Sequence, residues 1–132
     1  RELMENVKVA TVATVDVDCP CTRPMGTFPM SDTEIWAATF RGSRKVEQIQ
    51  KNPHVELCYM DAEYNHIRLA GTAVVKDDAD TRNKLWAAVP DIGSYFKTVD
   101  DPAFVIIVFT AKRLEYLEHG LGKVPNVVLL EK

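Results

Sequence analysis

Residues 39–53, TFRGSRKVEQIQKNP, read as a strand end, a tight turn at Arg41-Gly42 and a short helix stopped by Asn52-Pro53. Ser43 suits the N-cap, and Val46 and Ile49 fall on the inner side of the helix. Two cations, Arg44 and Lys45, then stand in the first turn. Helix starts carry unpaired N–H groups and a partial positive charge, so each cation there is mildly repelled, by well under ~1 kcal/mol. A bound anion would reverse that sign. A Gly-Ser turn feeding a helix aims several N–H groups at one point, where phosphate fits. Solvated surface cations are the other reading, and the motif alone leaves the two open.

Outward from this stretch the chain alternates in short extended runs. Residues 2–7 suit a short helix, and 9–16 (VATVATVD) are β-branched and read as a strand. A turn at DVDCPC leads to a second strand over 21–29, and a turn at Ser31-Asp32 to a third over 34–40, EIWAATF, which together predict a meander. Downstream, 54–61 and 67–77 form a hairpin around 63–65. Residues 78–89 place Leu85, Trp86 and Val89 at helical spacing, and 103–116 form a last strand. Six or so strands at hairpin spacing predict a mainly β fold, an antiparallel barrel with short helical decorations, as a single domain over 1–132. Residues 90–102 are the longest irregular segment. Their Gly93, Tyr95 and Phe96 make either a lid or partner contact, or a plain connection with a short helix.

Composition narrows the function. With 132 residues, 46% of them apolar, the chain suffices for one core. A net charge of −3 and a pI near 5.6 argue against a nucleic-acid surface, so any anion site is local. The longest apolar run, AFVIIVFTA at 103–111, is about half of what spans a bilayer, and no secretory signal opens the sequence. The expectation is a cytoplasmic protein with no membrane contact. Because the sequence opens on Arg1 rather than Met, upstream signals stay open. Cys19, Cys21 and Cys58 are an odd count that fits a reducing compartment. Cys19-Pro20-Cys21 is too tightly spaced for the common zinc knuckles, and His54 and Cys58 merely share a strand face, so no metal is expected. His54, His66 and His119 are scattered, no Ser-His-Asp or Cys-His arrangement is evident, and no catalytic side chain is assigned.

Before the opening stretch, TRPMGTF carries Arg23, with Pro24 and Gly26 leaving backbone accessible to a flat ligand. From these motifs, TRPMGTF…EIWAATFRGSRKVEQIQKNPHVELCY, the chain resembles the FMN-binding split barrels of the pyridoxamine 5′-phosphate oxidase-like superfamily, especially its general stress protein branch. The likeness runs over residues 9–118. It implies a six-stranded antiparallel split barrel and a homodimer with FMN at the subunit interface, FAD being possible. Arg23 matches the arginine at the flavin's phosphate end, and Pro24, Met25, Gly26 and Thr27 match the strand whose backbone lines the isoalloxazine ring. Thr39 matches a threonine on the neighbouring strand, and Ser43, Arg44 and Lys45 match the phosphate-binding turn. His66 falls where the oxidases carry a glutamine that reaches the cofactor from the other subunit; a plain hairpin-end histidine is the alternative.

Departures from the family pattern are informative. Where the oxidases have a lysine for the substrate phosphate, this chain has Phe28. Their C-terminal Trp and Arg are also missing, for this sequence ends LGKVPNVVLLEK. A true pyridoxamine phosphate oxidase is therefore not expected. The resemblance implies an FMN-dependent oxidoreductase passing electrons from a reduced nicotinamide or similar donor to a small organic acceptor. Its rivals are a flavin-holding stress protein with little turnover and a haem or deazaflavin binder on the same barrel.

Overall fold

A computed structural model describes residues 2–130. Helix α1 (Glu2–Val7) ends where Lys8 turns left-handed, φ 65°, and donates its amide to Met4 O at 3.0 Å. Strand β1 (Val9–Asp16) turns Ala10, Val12 and Thr14 inward and pairs antiparallel with β2 (Cys19–Gly26) through a turn at Val17-Asp18. Next come β3 (Phe28–Pro29), β4 (Glu34–Phe40), helix α2 (Arg44–Lys51), β5 (His54–Met60) and β6 (His66–Lys76). Helix α3 (Ala79–Ala88) follows, with Asp78 as N-cap accepting from the Thr81 amide at 3.1 Å. A 3₁₀ turn at Ile92–Ser94 lies in the expected irregular segment, and β7 (Phe104–Leu117) and β8 (Asn126–Leu129) finish the fold.

The strands form one antiparallel sheet in the order β2-β1-β5-β6-β7-β4-β3, with β8 added beside β7. It curls into a half-barrel around Val12, Leu57, Tyr59, Leu69, Ile107 and Phe109, as a split barrel requires. The mainly β, split-barrel expectation holds. The strand count differs, eight rather than six among the described residues, because β8 is an addition and the run read as one strand over 21–29 breaks at Thr27.

That break also corrects the expected meander, since β4 pairs with β7 along its whole length and not with β2. The physical reason is at the break. The Thr27 amide makes the last bond in register with the β1–β2 ladder, donating to Lys8 O at 2.8 Å, and the left-handed Lys8 backbone, φ 65°, ends β1 there. With its hydroxyl 2.5 Å from Tyr59 Oη, Thr27 is where the chain leaves β1 and crosses to the far edge of the sheet.

The apolar run in β7 is continuous because both faces are covered. Ile107, Phe109 and Ala111 face the barrel interior, while Phe104, Ile106 and Val108 pack with Leu85 and Val89 of the α3 segment. Opposite them, β6 slips register between Ala70 and Gly71, and a Cβ on Gly71 would overlap the Thr110 carbonyl oxygen. Gly71→Ala is expected to destabilise the fold by about 3 kcal/mol, because backbone on the opposing strand cannot yield, and urea unfolding followed by circular dichroism measures it.

Candidate functional site

The two ends of the curled sheet approach one another without pairing. Strands β2 and β4 come into contact, yet neither hydrogen-bonds to the other. At this seam lies a groove of about 450 Å3. Pro24, Met25 and Gly26 form one side, Ala38, Thr39 and Phe40 the other, and Lys45 brings in the start of α2. The segment after α3 supplies a further wall with Asp91, Ile92, Tyr95 and Phe96, joined by Phe28. A Cβ built on Gly26 meets nothing within 4 Å, so the strand's backbone is open there to a flat molecule. A second hollow of about 490 Å3, between α1 and the β6–β7 surface, carries the carboxylates of Glu2 and Asp61 and no Lys or Arg, which is the wrong sign for a phosphate.

Arg23 is fixed beside the helix. Its guanidinium donates to Thr14 Oγ1 at 2.7 Å, Gln48 Oε1 at 2.9 Å and Val12 O at 3.3 Å. The Thr14 hydroxyl in turn donates to Gln48 Oε1 at 2.6 Å. Thr14 and Gln48 are both buried, so these are neutral acceptors holding a cation in place without cancelling its charge. Burial first, then repulsion from Arg23, pushes the Lys45 ammonium below its ordinary value of 10.5.

Ser43 takes the N-cap place of α2 with extended backbone, φ −73° and ψ 153°, but its side chain makes no capping bond. The expected hydroxyl cap is thus absent, and Ser43 Oγ is buried with no hydrogen-bond partner. Arg44 points elsewhere: its side chain is 85% exposed, with Nη2 4.0 Å from Asp16 Oδ2. His66, at the start of β6, pairs with Met60 and Leu117 and does not line the groove. The fold therefore brings Arg23 and Lys45 into mutual range, with Ser43 at the helix start. It places Pro24, Met25, Gly26 and Thr39 along the groove and Thr27 buried behind it. Arg23, Ser43, Arg44 and His66 do not line the groove in the single chain; Arg23 and Ser43 stand at its margin beside Lys45, while Arg44 and His66 lie away from it.

Sequence reasoning missed Thr14 and Gln48. The signals were modest: Thr14 falls on the inward alternation of β1, and Gln48 sits between Val46 and Ile49, both buried on α2.

A family model described as pyridoxamine 5′-phosphate oxidase like matches residues 1–131. The chain belongs to that family. General stress protein 26 of Bacillus subtilis (strain 168) is 26% identical over 126 residues, covering 90% of this chain and 86% of that protein. A crystal structure of a protein related to general stress protein 26, from Clostridium acetobutylicum, matches with a TM-score of 0.81 and 26% identity over 96% of this chain and 90% of its own. A pyridoxamine 5′-phosphate oxidase-related, FMN binding protein of Nostoc punctiforme shares the fold with a TM-score of 0.73 at 16% identity, over 99% of this chain and 94% of its own.

The Lys45 environment makes a signed prediction. A lysine whose folded pKa is lowered destabilises the fold while charged, and the penalty fades as pH rises from that lowered value towards the ordinary 10.5. In ligand-free protein, Lys45→Met is expected to raise stability at pH 7 by about 0.5 kcal/mol, the size of a helix-end charge effect. Calorimetry should show that gain shrinking as pH climbs through this window.

Proposed function

We propose that this chain binds FMN in the seam groove and acts as an oxidoreductase, carrying electrons from a reduced nicotinamide or similar donor to a small organic acceptor. One observation carries the reading: an unpartnered buried hydroxyl, Ser43 Oγ, stands at a helix start without a side-chain cap, two residues from a partly desolvated Lys45 that Arg23 repels. Each of these features costs stability alone, and a phosphate dianion satisfies all of them together. The FMN-binding relative of the same fold supports the choice of ligand.

Arg23, Ser43 and Lys45 would hold the phosphate, with Arg44 adding to the field from its exposed position. The backbone of Pro24, Met25 and Gly26 would line the ring on the side left open at Gly26, with Thr39 facing it from β4 and Thr27 buried behind the strand end. FMN supplies the two-electron chemistry itself, so the protein's work is to fix the ring, tune it and admit donor and acceptor. His66 is outside its own chain's groove, so its role at the cofactor requires a second copy, with flavin at a homodimer interface. Phe28 lines the groove where a lysine would receive a second phosphate, which argues against pyridoxamine phosphate as substrate. No helix of the described residues is long and apolar enough to cross a membrane.

Purified protein reconstituted with FMN is expected to show a flavin visible spectrum at one FMN per chain. NADH or NADPH should bleach it in stopped flow, and an added acceptor should restore it. Protein that takes up no FMN defeats the reading, and flavin that binds without being reduced leaves only the holding role.

A further inference from the structure

The groove wall opposite β2 is chemically unlike the phosphate end of the site. Phe40 and Phe96 meet with centroids 4.9 Å apart and planes tilted by 41°, and Phe96 continues to Phe104 at 4.6 Å, forming a backed aromatic row. Phe96 and Phe104 are buried and immobilised in the α3 cluster, whereas Phe40 and Tyr95 keep 51% and 66% of their surface exposed at the groove. Exposed aromatic rings on a rigid backing, gathered at one opening, offer faces for a planar guest. Phe28 adds a third face from β3. Among the described residues, the charged side chains lining the groove are Lys45 and Asp91, and Lys45 belongs to the phosphate site. Once a phosphate neutralises the cations, the Asp91 carboxylate sets the charge that an incoming molecule meets.

Resting on the flavin reading above, we infer that Phe28, Phe40 and Tyr95 form the subsite for the electron acceptor, and that it takes planar, uncharged aromatic molecules and rejects anionic ones through Asp91. A quinone is the simplest member of that class. The balance closes with the proposed donor: NADH gives a hydride, solvent gives one proton, and the quinone leaves as hydroquinone with both carbonyl oxygens protonated while NAD+ is released. The structure offers two reasons for this preference over a phosphorylated acceptor. Phe28 provides a face and no charge, and Asp91 repels an anion at close range, an effect that salt weakens.

Equilibrium dialysis on FMN-loaded protein tests this, using 1,4-naphthoquinone and its 2-sulfonate as probes, with visible absorbance reporting FMN content in every sample. The uncharged quinone is expected to bind roughly tenfold tighter than the sulfonate. Tyr95→Ala should weaken quinone binding by about five- to tenfold through the lost ring face. Asp91→Asn should leave quinone affinity unchanged and narrow the gap to the sulfonate several-fold, less so at high salt. Equal or tighter binding of the sulfonate, or indifference to both substitutions, with FMN retained, overturns the subsite while leaving the flavin reading intact. Absence of FMN in wild-type samples defeats the flavin reading itself, so the two failures are told apart by the spectrum.

Discussion

The Thr27 amide donates to the Lys8 carbonyl at 2.8 Å, the last bond in register with the β1–β2 ladder, and because Lys8 turns left-handed and the Thr27 hydroxyl pairs with Tyr59, β2 has no strand to continue beside and ends there. Burial raises the Tyr59 phenol above its ordinary value, which keeps it neutral and able to donate. Lys8 adopts a left-handed backbone, φ 65°, to close α1 and present that carbonyl. The consequence is topological. The chain crosses to β4, which β7 already pairs along its full length, and the two ends of the sheet face each other unjoined. A closed barrel would have used those backbone groups in a ladder. The open seam leaves a groove with accessible strand on one side and a helix start at its margin.

Charge is arranged around that groove against the local preferences of the fold. Arg23 is held by two buried neutral acceptors and a carbonyl, so its position is fixed while its charge remains unneutralised by them. Lys45 is brought near enough to feel it and is partly desolvated. Ser43, in the natural capping place, leaves its hydroxyl unpaired. Rules that are obeyed elsewhere, as at Asp78 capping α3, are broken together here. Such a concentration of local conflicts is what a binding site for an anion looks like when its ligand supplies the missing partner.

Local pattern was enough for most of the elements. The α2 segment announces itself by Gly42, Ser43 and Asn52-Pro53, and the hairpin of β5 and β6 by alternation around a polar turn. What the sequence does not carry is which strand pairs with which. Nothing in TRPMGTFP marks Thr27 as a break, because the partners that make it one, Lys8 and Tyr59, lie 19 and 32 residues away. The same holds for Gln48, whose role depends on Arg23 at a separation of 25 residues. The side-chain direction of Arg44 was equally invisible, since adjacent helical residues point to different faces and only the surrounding strands decide which one meets the groove. The family resemblance named Arg23, Arg44 and Lys45 as candidates, while their division into a fixed arginine, a partly desolvated lysine and an outward arginine came from the packing.

The central claim is that the positive corner made by Arg23, Ser43 and Lys45 exists for a phosphate. Comparing the dissociation constants of FMN and riboflavin, which differ by that phosphate alone, addresses it most directly. Titration by flavin fluorescence on wild type, Lys45→Gln and Arg44→Gln suffices. Two or more charge-assisted hydrogen bonds predict FMN binding about 100-fold tighter than riboflavin in the wild type, with most of the difference lost in Lys45→Gln and little in Arg44→Gln. Riboflavin binding as tightly as FMN, or a preference that survives Lys45→Gln undiminished, would contradict the account.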